Sequence, residues 1–116
     1  MKVAILGASP KPDRYANKAQ VLLMKHGHEV FPVSQGGQDV LGVDGLTKVP
    51  AGMDTVTLYL SPKHLHPILD ELAAAAPKRV IFNPGTESRE AKQRLEGEGI
   101  LCEEACTLVL LGTGQF

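Results

Sequence analysis

Apolar positions along the chain recur in two alternating styles. Lys2-Val3-Ala4-Ile5-Leu6 is a short apolar run closed by Gly7. It has no polar alternation, as expected of a strand covered on both faces. From about Asp13 to His26 the spacing turns helical, with Ala16, Ala19, Leu22, Leu23 and His26 on one stripe and Gly27 as the stop. His28-Glu29-Val30-Phe31-Pro32-Val33 predicts a second strand, whose Pro32 places its end near the rim of the sheet. Ser34 to Gly52 carries Gly36, Gly37, Gly42, Gly45 and Gly52 and reads as a surface excursion with one short turn or strand.

Thr55-Val56-Thr57-Leu58-Tyr59-Leu60 is rich in β-branched residues and predicts the third strand. Ser61-Pro62 predicts a helix start, the hydroxyl capping free N–H groups and the proline fitting the first turn. Leu65, Ile68, Leu69, Leu72 and Ala73 continue it as one stripe bounded by Pro77. Arg79-Val80-Ile81-Phe82 is the fourth strand, and Asn83-Pro84-Gly85 forces a turn into a polar helix from about Glu87 to Glu98. Gly99 to Cys102 predicts a fifth strand, and the apolar tail from Ala105 to Leu111 reads as a strand or a closing helix, the helix being preferred.

Strand signals separated by helical stretches predict an α/β fold, a Rossmann-like doubly wound parallel sheet of five strands with helices on both faces. The expected order is 3-2-1-4-5. At 116 residues the chain is read as a single domain over 1–116. Net charge is −1, which removes any electrostatic case for nucleic acid, and an aromatic content of 4% without tryptophan gives bases little to stack on. No run approaches the ~20 apolar residues a membrane span needs, and the start lacks a signal-peptide stretch. A cytoplasmic protein is expected. Cys102 and Cys106 form neither a disulfide framework nor a CxxC.

In this architecture ligands bind beyond the carboxyl ends of the strands, at the switch point of the strand order. Those ends carry Gly7-Ala8-Ser9-Pro10, Val33-Ser34, Leu60-Ser61-Pro62 and Asn83-Pro84-Gly85. The first turn aims helix N–H groups at an anion, with Lys11, Arg14 and Lys18 as nearby cations and Arg14 suited to a bidentate phosphate contact. The dinucleotide fingerprint is broken. Ser9 and Pro12 replace its second and third glycines, and the second strand ends without the acidic residue that holds a nicotinamide ribose. No Walker A loop occurs. His64 and His66 are two apart, share no helix face and have no third ligand at a useful spacing, so no metal site is expected.

Val3-Ala4-Ile5-Leu6-Gly7-Ala8-Ser9-Pro10-Lys11-Pro12-Asp13-Arg14-Tyr15 and Gly27-His28-Glu29-Val30-Phe31-Pro32-Val33 resemble the small stand-alone CoA-binding proteins. Asn83-Pro84-Gly85-Thr86-Glu87 and Glu104-Ala105-Cys106-Thr107 resemble later blocks of that family. Its fold is similar to the CoA-binding domain of succinyl-CoA synthetase and of ADP-forming acyl-CoA synthetases. The resemblance implies a ligand, coenzyme A or an acyl-CoA, with its pyrophosphate near Gly7, Ala8 and Ser9. Arg14 and Lys18 would reach neighbouring phosphates. Val33 and Ser34 would border the adenosine, and Leu60, Ser61, Asn83, Pro84 and Gly85 would line the pantetheine path. The synthetases carry a lysine after the second strand, where this sequence has Gln35-Gly36-Gly37-Gln38.

Cys106 lies past the fifth strand beside Glu103 and Glu104. It is expected to pack at the pocket mouth near the pantetheine thiol, with those carboxylates opposing thiolate formation. Cys102 is expected in the core. Binding without catalysis is the leading reading. The alternatives are a thioester- or nucleotide-dependent enzyme and a regulatory or structural partner domain with a vestigial pocket. No His/Asp/Ser or Cys/His arrangement supports the enzyme, and a protein partner is left open.

Overall fold

The computed structural model describes residues 1–116. In chain order the elements are β1 (Lys2–Leu6), α1 (Tyr15–Lys25), β2 (Glu29–Val33), β3 (Thr55–Leu58), α2 (Pro62–Leu65), α3 (Leu69–Ala75), β4 (Arg79–Phe82), α4 (Arg89–Gly97), β5 (Leu101–Glu104) and α5 (Thr107–Gly112). All five strands are parallel. Side chains of β1 alternate between two cores. Val3 and Ile5 pack with Ala16 and Leu23 of α1 and Leu111 of α5. Ala4 and Leu6 pack with Leu69 and Leu72 of α3 and Leu95 of α4. Both faces of β1 are therefore covered, which is why it reads as an unbroken apolar run. No helix is long and apolar enough to cross a membrane.

The strand order is β2-β1-β3-β4-β5, not the expected 3-2-1-4-5. Pro32 carries the physical reason. Its carbonyl points away from β1 and accepts from the Leu46 N–H at 2.9 Å, so its missing N–H faces the outer edge. A strand with such a gap cannot sit between two full neighbours. The Ser34 N–H donates to the Leu46 carbonyl at 3.0 Å, so the excursion after β2 covers part of that edge. All four residues of β3 are buried, consistent with its seat between β1 and β4.

Two helices depart from expectation. The stripe from Leu65 to Ala73 is split by a 3-10 turn over His66–Ile68, because Pro67 has no N–H to continue the ladder. Ser61 occupies the cap position of α2, but its hydroxyl meets the His64 Nδ1 at 2.8 Å instead of a backbone N–H. On α1 it is Asn17 and Gln20 that are buried, whereas His26 is exposed. The tail forms the expected helix, and β5 begins two residues later than its sequence signal.

Candidate functional site

The strand order reverses between β1 and β3, and the carboxyl ends of those strands meet at Gly7 and Tyr59. The Tyr59 N–H donates to the Leu6 carbonyl at 2.8 Å, and Gly7 adopts a φ of +98°. A Cβ on Gly7 would lie 2.8 Å from the Tyr59 carbonyl oxygen, so no side chain fits there. Gly7, Ser9, Lys11, Arg14, Tyr15, Ala16 and Tyr59 line one concavity of about 310 Å³. Asn17 of α1 donates from Nδ2 to the Ser9 carbonyl at 3.0 Å and fixes the loop over the helix start. The N–H groups of Ser9, Tyr15 and Ala16 have no acceptor within the chain, so they remain free for an anion.

Not every residue of the first turn contributes in this way. The Gly7 and Ala8 N–H groups both donate to the Val33 carbonyl, at 2.9 and 3.1 Å. Ala8 and Val33 are buried, so their role is to hold the turn against β2. The Ser9 hydroxyl accepts from the Lys11 N–H at 3.2 Å. Arg14 is exposed at the cradle, while the Lys18 ammonium sits 5.2 Å from the centre of the Tyr15 ring and does not line the concavity. Ser34 is half-buried in the turn after β2, joined to Leu46 and Gly37. Leu60 packs against the core beside Gly7, and Ser61 is exposed.

A second cavity, of about 250 Å³, opens beside the first and shares Tyr15 and Tyr59 with it. Asn83, Pro84, Cys106 and Leu108 complete its lining. Beneath it lies a buried polar network. Asn83 donates from Nδ2 to the Thr57 hydroxyl at 2.6 Å and to the Leu58 carbonyl at 2.8 Å, and its Oδ1 accepts from the Thr107 N–H at 2.8 Å. The Thr57 and Thr107 hydroxyls are 2.7 Å apart. Asn83 is thus a clamp joining β3, β4 and α5, and no donor of its side chain is left for a ligand. The Gly85 N–H is taken by the Glu87 carboxylate at 2.7 Å. Pro84 and Cys106 face the cavity.

Burial pushes the Tyr59 phenol up to about 12, against the pull of the Thr107 and Thr57 hydroxyls. Absorbance titration of a Tyr15→Phe variant should show phenolate appearing near that pH. Since the folded value is raised, the Tyr59 contribution to stability is complete below about pH 10 and disappears as pH rises through about 12, the unfolded chain releasing its proton first. Ionisation near 10 would mean that Tyr59 is open to water. Burial also pushes the Cys102 thiol up to about 11, which makes it an inert core group. No group of three or more His, Cys, Asp or Glu side chains comes together to hold a metal ion.

Sequence reasoning gave no site role to Tyr59, Leu108, Thr57 and Asn17, and met Thr107 only as the end of the Glu104-to-Thr107 block. It met Tyr15 only as part of the opening block. The sequence put Tyr59 inside the third strand, whereas β3 ends at Leu58 and leaves Tyr59 directly beyond the strand end. A larger hollow, of about 850 Å³, lies along the start of β2 beside Met24, Phe31 and Leu46, away from the ends where these residues converge.

Residues 1–112 match the family model described as CoA binding domain. An uncharacterized protein of known crystal structure is 44% identical, the match covering 99% of this chain and 97% of that one, with a TM-score of 0.94. The uncharacterized protein YneT of Bacillus subtilis (strain 168) is 24% identical over 101 residues, 84% of this chain and 75% of its own. The dinucleotide forming acetyl-coenzyme A synthetase 1 of Ca. Korarchaeum cryptofilum shares the fold at 18% identity, with a TM-score of 0.74 over 87% of this chain and 25% of its own.

Proposed function

The chain belongs to the CoA-binding domain family, and on that premise we propose that its strand-end rim binds coenzyme A or an acyl-CoA without catalysis of its own. The carrying observation is the cradle at Gly7. Free N–H groups of Ser9, Tyr15 and Ala16 border the same concavity as Arg14 and Lys11, at the switch point between β1 and β3. Such a site suits a pyrophosphate, because unpaired helix-start N–H groups and two flexible cations all favour negative charge there. Val33-Ser34-Gln35 ends β2 without a carboxylate, so a nicotinamide ribose has no partner. The protein would bind the small molecule in the cytoplasm, with no nucleic acid as a partner.

Calorimetric titration with CoA and with NAD tests this directly. CoA should bind more tightly, and NAD binding as strongly or more so would reject the reading. Arg14→Ala should weaken CoA binding by roughly 1.5–3 kcal/mol, the worth of a charge-assisted hydrogen bond. Its melting temperature should scarcely change, because the side chain is exposed. An unaltered dissociation constant at low salt would return Arg14 to the solvated surface.

A further inference from the structure

The cavity at Tyr15, Tyr59, Asn83, Pro84, Cys106 and Leu108 lies along the rim from the phosphate cradle, over the ends of β3, β4 and β5. Adjacent strands stand ~4.8 Å apart, so the three spacings from β1 to β5 span ~14 Å. The pantetheine arm has about twelve bonds from its phosphate oxygen to its sulfur, and at ~3.6 Å per three extended bonds it also spans ~14 Å. An arm laid along the rim from the cradle therefore carries its sulfur to this cavity. The ligand's end meets an unusual surface there. The polar atoms beneath it satisfy one another through Asn83, Thr57 and Thr107, leaving tyrosine rings, Pro84, Leu108 and one thiol as the lining. A free CoA thiol gains little from such walls, whereas an apolar group attached to it loses water where it meets them.

We propose that this cavity is an acyl subsite, and that the protein selects short-chain acyl-CoA thioesters over free CoA. The inference rests on the CoA reading above. Length is limited by volume. At ~30 Å³ for each methylene-sized group, about 250 Å³ holds roughly eight such groups. The thioester and the end of the cysteamine take some of them, leaving room for about four to six acyl carbons.

Calorimetry with CoA, butyryl-CoA and dodecanoyl-CoA below its aggregation threshold tests the subsite. Each buried methylene is worth about fourfold in affinity, so butyryl-CoA should bind at least tenfold more tightly than CoA. Dodecanoyl-CoA should gain nothing over butyryl-CoA. Leu108→Trp, which fills the cavity from α5, should bring the butyryl-CoA to CoA ratio down towards one. Leu108→Ala should shift the preference towards octanoyl-CoA and longer chains. A butyryl-CoA gain short of tenfold in the unaltered protein overturns the subsite while leaving CoA binding in place. Failure of CoA and butyryl-CoA alike to bind removes the parent reading and the subsite together.

Discussion

Asn83→Ala is expected to destabilise the protein by roughly 4 kcal/mol, the sum of two stranded backbone groups at about 1–3 kcal/mol each. The Asn83 side chain is buried and makes three hydrogen bonds, to the Thr57 hydroxyl, the Leu58 carbonyl and the Thr107 N–H. Thr107 opens α5, and its N–H belongs to the set that a helix cannot satisfy internally. Cys106 precedes it without a side-chain cap, so a residue 24 positions away in the chain performs that service. Alanine would leave the Thr107 N–H and the Leu58 carbonyl without their Asn83 partner beneath the cavity. The loss would consume a large part of a typical domain's stability, about 5–15 kcal/mol. Urea denaturation measures it. Asn83→Asp keeps an acceptor for Thr107 but loses the Nδ2 donor, and should lie nearer to Ala than to the unaltered protein at neutral pH. Its deficit should shrink on acidification, when a protonated carboxyl can donate again. A cost below about 1 kcal/mol for Asn83→Ala would mean that water replaces the clamp.

Gly7→Ala is expected to cost about 3 kcal/mol, from left-handed backbone strain plus a collision with the backbone of β1's neighbour. Gly7 has φ of +98°, and its added Cβ would meet the Tyr59 carbonyl oxygen at 2.8 Å and carbon at 2.9 Å. Neither side can easily yield, because the Gly7 N–H is tied to Val33 and the Tyr59 N–H to Leu6. Gly85→Ala provides the control. Gly85 has φ of +90° but nothing within 4 Å of an added Cβ, so it should show strain alone, about 1–2 kcal/mol. CoA affinity should fall in the Gly7 variant as well, since the displaced atoms form the wall between cradle and cavity. Equal destabilisation of the two variants would show that the close approach at Tyr59 contributes nothing.

Local pattern determined the elements of this protein. Lys2–Leu6 reads as a doubly covered strand because no polar residue alternates through its centre, and it and Arg79–Phe82 both lie where the sequence placed them. Gly7, Ser9 and Arg14 were legible as a strand-to-helix turn with a cation beside it, and they converge on one concavity. These features depend on residues within one turn or one strand of each other. Strand order does not, since it compares pairings between segments tens of residues apart. The one local clue was Pro32, whose missing N–H bars β2 from the interior of the sheet. With β3 beside β1, Tyr59 comes against Gly7, and a second cavity forms between Tyr59, Asn83 and Cys106. Asn83 looked like a turn former from its neighbours Pro84 and Gly85, yet its three partners lie on β3 and α5. Periodicity and turn chemistry are written in adjacent residues. Which strand ends meet, and what buried polar groups pair there, is settled only when the sheet closes and water leaves, because only then does an unpaired donor become costly.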